Sequence, residues 1–152
     1  MANSVSICSE NVRFPYRRIR KKDIDRWLRA VCRAAFPKGA TVTLIVCDNA
    51  AIRIINKKYR KKDRPTDVIT FAYDESPFPA RGTQETSGDI YLSLERAAEN
   101  AAEYGVTLAD EIQRLLVHGV LHMAGYDHER SVAEERRMRK REEEVLRGLR
   151  VR

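Results

Sequence analysis

Apolar and polar positions recur along this chain in two periods, and the periods mark out its elements. Over Lys22–Ala35 the apolar residues Ile24, Trp27, Leu28, Val31 and Cys32 fall on one helical face. Pro37-Lys38-Gly39 then breaks the chain. Thr41–Cys47 is rich in β-branched residues and reads as a strand, and Val5–Cys8 as a shorter one. Asp48 is placed to cap a helix running through Tyr59, with Ile52, Ile55 and Tyr59 on its inner side. A basic loop over 60–66 passes Pro65 and leads into a strand from Thr66 to Tyr73. Pro77 to Ser87 is polar and contains Pro and Gly, as an exposed loop does. Asp89–Leu94 reads as another strand, and Leu94 or Glu95 begins a helix to Tyr104 that Gly105 ends. Thr107 can cap a long helix carrying Asp110 and Glu111 near its positive end. A last helix covers about Val132–Leu149. This mixed order predicts an α+β fold, one domain over 1–152 in which a small mixed sheet packs against helices.

Composition narrows the setting. The chain has 152 residues, 43% of them hydrophobic, enough for one ordinary core. No stretch approaches the roughly 20 apolar residues of a membrane span, and no secretory signal pattern opens the chain. Cys8, Cys32 and Cys47 form no C-x-x-C pair. They read as reduced, buried thiols rather than as a disulfide frame or zinc ligands, which predicts a cytoplasmic protein. Net charge is +7 and is concentrated. Arg13, Arg17, Arg18, Arg20, Lys21, Lys22, Arg26, Arg29 and Arg33 face only Asp23 and Asp25 in their stretch. Lys57, Lys58, Arg60, Lys61, Lys62 and Arg64 face only Asp63. Such patches are the electrostatic footprint of a polyanion binder, although charge runs are as often plain solvated faces. Residues 134–147 mix both signs, as an exposed helix with internal ion pairs does.

The chemistry sits in one stretch of eleven residues that holds every histidine of the chain, from His118 through His122 to His128. His118 and His122, four apart, share one helix face and can reach one cation. Gly125 is suited to end that helix and turn the chain back, so that His128 can supply a third nitrogen. Three protein nitrogens and one open position describe a catalytic zinc site at the end of a long helix; structural zinc sites are closed by four protein ligands. Three imidazoles also suit nickel, copper or cobalt. Asp127, beside His128, can orient a ligand ring or simply serve a turn. The H-x3-H-x5-H spacing is also that of metzincin proteases, which place a Glu base directly after the first histidine. Gly119 stands there and cannot move a proton. Phosphodiester cleavage depends more on stabilising charge at phosphorus, for which a metal and a guanidinium suffice. Arg60 is the candidate guanidinium, since arginine grips phosphate oxygens in a bidentate way that lysine does not. Asp67 and Asp89 stand at expected strand starts and are read as turn or cap residues.

The segment His118 to His128 resembles the H-G-x-L-H-x-x-G-Y-D-H motif of the YbeY endoribonucleases. Asn56 to Arg60, the run Arg64-Pro65-Thr66-Asp67-Val68-Ile69-Thr70-Phe71, and Gly88-Asp89-Ile90 agree as well, in the family's order. Met123 and Thr70-Phe71-Ala72 depart mildly from the usual residues, and neither departure touches an expected ligand. The resemblance implies that His118, His122 and His128 bind one Zn2+ per chain and that Arg60 takes part in RNA cleavage. It further implies cleavage of single-stranded RNA, maturation of the 16S rRNA 3′ end, ribosome quality control, and partnership with rRNA and the small ribosomal subunit. A metalloprotease with a displaced base and a non-catalytic, zinc-stiffened RNA or ribosome adaptor are the competing readings. The partner of the basic stretch 13–33 stays open.

Overall fold

Strand alternation divides this molecule into two layers around one sheet. The structure, a computed structural model, describes residues 3–72, 86–126, 129 and 131–150. Strands β1 (Ser4–Glu10), β2 (Ala40–Cys47), β3 (Val68–Ala72) and β4 (Thr86–Ser93) lie in the order β1-β2-β4-β3. β1–β2 and β2–β4 are parallel, whereas β3 pairs antiparallel with β4, from Val68↔Leu92 to Ala72↔Gly88. Successive side chains point to opposite faces. Val42, Leu44, Val46, Ile90 and Leu92 are fully buried on one face, and Cys47, Ile69, Phe71 and Tyr91 belong to the other. The expected mixed sheet and α+β class are what the structure has.

Five helices are described: α1 (Lys21–Ala35), α2 (Asn49–Arg60), α3 (Leu94–Tyr104), α4 (Leu108–Met123) and α5 (Val132–Arg150). α1 and α4 cover the first face through Ile24, Leu28, Leu116 and Val120, and α5 packs on both helices through Met138 and Val145; α2 covers the second face through Ala51 and Ile52. Their starts obey the capping chemistry read from the sequence. Asp48 accepts the Ala51 N–H at 2.9 Å, and Thr107 accepts the Asp110 N–H at 3.0 Å. α3 ends at Gly105 with φ 68°, the left-handed turn that glycine adopts without penalty. At the start of α1, Asp23 accepts from the Arg20 backbone N–H at 2.9 Å and from its guanidinium at 2.9 and 3.1 Å. Those hydrogen bonds, the side-chain ones first, hold the Asp23 carboxyl down to about 2. On α5, Arg137–Glu134, Arg139–Glu135 and Arg141–Glu144 form the expected ion pairs.

Four expectations change. The strand expected over 66–73 is Val68–Ala72 among the described residues. Asp67 stays outside it because its carboxylate accepts the Val68 N–H at 2.8 Å and the Asn100 amide at 3.1 Å. Thr86 and Ser87, expected in a loop, already belong to β4; 73–85 lie outside the described residues. Cys8 is exposed, because it sits on the edge strand β1, while Cys32 and Cys47 are buried. Burial pushes both buried thiols up to about 12, well away from reactive thiolate character. Tyr59, expected on the inner side of α2, is 56% exposed, because it meets the sheet at the edge strand β3, where its ring lies edge-on to Phe71.

Two glycines let α4 lie close to the sheet. A Cβ on Gly88 would stand 2.5 Å from the Phe71 carbonyl oxygen and 2.6 Å from Met123 Cε. Met123 therefore packs directly over β4. Gly88→Ala is expected to destabilise the fold by about 1–3 kcal/mol through overpacking, seen as a lower urea midpoint at unchanged slope.

Candidate metal and phosphodiester site

α4 is oriented by its contact with β3 and β4. Thr70 Oγ1 donates to the Gly119 carbonyl at 3.2 Å, and a Cβ on Gly119 would meet Thr70, Ile90 and Val68 within 3.2–3.4 Å. Gly119 thus faces the sheet. His118 and His122 turn to the adjacent, partly exposed side, as the 3.6-residue period requires. A glutamate in place of Gly119 would carry its carboxylate into the sheet contact rather than toward the histidines. The missing protease base therefore has a packing reason.

The two imidazoles converge. His118 Nε2 and His122 Nε2 are 3.1 Å apart, with ring centroids 4.6 Å apart and planes at 77°. Two nitrogens each about 2.0–2.1 Å from one tetrahedral zinc are separated by roughly 3.3 Å, so this geometry fits shared coordination of a single borderline cation. On its far side His118 Nδ1 lies 2.9 Å from Glu142 Oε1 on α5. A carboxylate there can only accept, which places the proton on Nδ1 and the lone pair on Nε2, facing His122. His128 and Asp127, the other expected site residues, lie outside the described residues. The described part of the site is thus two inward ring nitrogens and an outer carboxylate.

Sequence reasoning missed Glu142. It reached for Asp127 next in the chain, whereas the acid that meets His118 comes from another helix, among the alternating charges of α5. Arg114 was missed as well. It precedes His118 by one turn on the same side of α4, and the 114/118/122 spacing was the available signal. Its guanidinium donates to buried Glu111 at 2.8 and 2.7 Å, which raises its own proton affinity, and Glu111 also accepts from Asn100 at 3.1 Å. A guanidinium so held is a fixed cation with part of its surface open.

Arg60 ends α2, across the sheet from α4. Its neighbour Tyr59 meets Phe71 edge-on at 5.2 Å, and Phe71 precedes Ala72, which pairs with Gly88 beneath Met123. Arg60 therefore stands at the same end of the sheet as His122, although the described contacts stop short of joining the two side chains. Buried Asn56 fixes the loop after α2 by donating to the Arg64 carbonyl at 2.8 Å. Asp63 is taken by Arg53 at 2.7 Å and Lys57 at 3.9 Å. Lys58, Arg60, Lys61, Lys62 and Arg64 have no acidic partner among the described residues. Among the described residues the charge run is thus largely unneutralised.

Residues 9–150 match the sequence model of the family described as Endoribonuclease YbeY. The chain belongs to the YbeY family. Relatives named Endoribonuclease YbeY include one from Aquifex aeolicus, 37% identical over 91% of this chain and 89% of the relative. Another, from Treponema denticola, is 35% identical over 96% and 93%. A solution structure of a Thermotoga maritima protein superposes with a TM-score of 0.59 at 27% identity, covering 95% of this chain and 92% of that one. The resemblance carried by His118–His128 and the Thr66–Phe71 run is therefore a family relationship along almost the whole length, including the N-terminal part that the motifs left uncovered. Within this YbeY framework the Glu142 contact is open to direct measurement. In metal-free protein, long-range 15N–1H correlation spectra should show His118 as the Nδ1–H tautomer. Glu142→Ala should shift it toward the Nε2–H form, and an unchanged tautomer would remove Glu142 from the site.

Proposed function

We propose that this protein is a metal-dependent endoribonuclease that cleaves single-stranded RNA, with one Zn2+ held by His118, His122 and His128. The observation that carries the reading is the 3.1 Å approach of the two Nε2 atoms, at the sheet end where the basic run after α2 gathers. Zinc bound there supplies Lewis acidity and a water of pKa near 7. The protein's own residues do the rest. Glu142 keeps the His118 ring in one tautomer and one orientation. Arg60 neutralises the charge that builds on the non-bridging phosphate oxygens as the P–O bond breaks. Lys58, Lys61, Lys62 and Arg64 hold the flanking phosphates as a diffuse positive field. Tyr59, half exposed with Lys58 Nζ 5.3 Å from its ring, offers a face on which an unpaired base stacks.

The family relationship supports extending the reading to the finer role: maturation of the 16S rRNA 3′ end and ribosome quality control in the cytoplasm, with rRNA and the small ribosomal subunit as partners. Among the described residues no helix is long and apolar enough to cross a membrane. Peptide hydrolysis is the weaker reading, because Gly119 is committed to the sheet and leaves the usual base position without a carboxylate.

Purified protein is expected to carry about one zinc per chain and to cut an unstructured RNA in a manner abolished by chelator and restored by Zn2+. Arg60→Ala should lower kcat by about 10²–10³, the typical effect of deleting one transition-state charge contact, without loss of zinc. His118→Ala should lose both metal and cleavage. Stoichiometric RNA binding without turnover, indifferent to Arg60, would instead select the adaptor reading. Glu142→Ala is expected to weaken zinc some 10–100-fold in chelator competition.

A further inference from the structure

The basic stretch after β1 contains a turn whose residues contradict its geometry. Tyr16 and Ile19 exchange both backbone hydrogen bonds, each at 2.8 Å, which closes a two-residue hairpin loop. Its two central residues, Arg17 and Arg18, have φ of 47° and 71°. Positive φ at both positions defines the type I′ turn, the geometry that Asn-Gly fills best and that a long side chain fills poorly. Two consecutive arginines stand there instead. The turn is also firmly held: Ile19 is buried, Phe14 and Tyr16 pack against the main core, and the Arg17 guanidinium lies 5.7 Å from the Tyr16 ring centroid. A strained backbone that the surrounding packing enforces is a mark of functional use.

The surroundings give the charge its meaning. Asp23 is occupied by Arg20 at 2.9 Å and Arg26 at 3.5 Å. Arg13, Arg17, Arg18, Lys21 and Lys22 have no acidic partner among the described residues. The turn follows Glu10, which pairs with Cys47, which in turn pairs with Ser93. Arg29 of α1 donates to the Val5 carbonyl of β1, so the start of α1 and the turn before it lie beyond the ends of β1, β2 and β4. His118 and His122 lie instead on α4 between Gly119, packed on Ile90, and Met123, packed on Gly88; the three residue steps from Ile90 to Ser93 alone span about 10 Å. The turn and the histidines thus stand at different levels along the strands.

We propose that the Arg17-Arg18 turn is a second RNA-contacting site, which grips the phosphate backbone of single-stranded RNA at a distance from the cleaved bond. Two guanidiniums projected from a rigid tip match successive phosphates in a way that a flexible basic tail does not. The flanking apolar residues face the core, so the tip offers nothing to insert into a lipid surface. The inference rests on the RNA reading given above, and binding can be measured without cleavage.

The experiment compares the full chain with R17N/R18G, which installs the favoured turn pair, and with R17K/R18K, which keeps the charge. Poly(U) affinity is measured in chelator at several salt concentrations. R17N/R18G should melt at or above the wild-type temperature, because the turn relaxes. Its slope of log K against log salt should fall in size by about 1.4, two phosphates at roughly 0.7 each, a loss of about 25-fold at 0.1 M salt. R17K/R18K should retain most of the affinity and the full slope. An unchanged slope and affinity in R17N/R18G would overturn the proposal while leaving the nuclease reading intact. Absence of poly(U) binding by the wild-type chain would overturn both. Binding of anionic vesicles or of an acidic protein that is lost in R17N/R18G, with poly(U) binding kept, would reassign the turn and likewise overturn it.

Discussion

Everything at the site depends on how closely α4 can approach the sheet. The contact is made by a hydroxyl, a carbonyl and the absence of a side chain: Thr70 Oγ1 donates to the Gly119 carbonyl at 3.2 Å, and no Cβ intervenes. Once that face of the helix is committed to β3 and β4, the period of the helix leaves His118 and His122 no direction but the partly open side, toward α5. Gly88 makes the same accommodation one turn on, under Met123. Packing and chemistry are therefore one constraint. The interior is dense enough that the rotation of α4 has little freedom, and the ring nitrogens inherit that precision.

Period and capping were legible in the chain because they are local. Ile24 to Cys32 announce the inner face of α1; Asp48 and Thr107 announce helix starts and cap them as expected. The pair His118 and His122 was legible for the same reason, since four residues on a helix fix a neighbour. What was not legible depends on which elements meet. Tyr59 follows the inner stripe of α2 by spacing, yet it meets the sheet at the edge strand β3, so its ring is half in solvent. Cys8 has the alternation of an interior strand but occupies an edge. Glu142 sits 24 residues from His118 amid alternating charges, and only the packing of α5 on α4 singles it out. Asn100 and Glu111 likewise look like ordinary helix-surface residues until their buried contacts with Asp67 and Arg114 are seen.

The net charge of +7 resolves into contrasting parts. On α5 the described arginines at 137, 139 and 141 are matched by glutamates within a helical turn, and the helix reads as a solvated face. In the basic stretches 13–33 and 57–64 the cations outnumber the acids, and Asp63 and Asp23 are already bound by Arg53, Lys57, Arg20 and Arg26. Surface ion pairs add little to stability, so this distribution bears on what the molecule attracts rather than on how well it folds.

The reach of α5 back to α4 has a consequence in time. His118 emerges during synthesis well before Glu142, and a nascent chain that ends between them can already carry both helix histidines. It lacks the carboxylate that pins the ring. The His118–Glu142 contact forms only when α5 has been made and has docked through Met138 and Val145. A half-made chain therefore carries His118 without its carboxylate partner, and that contact becomes a report on whether the helix that follows is in place.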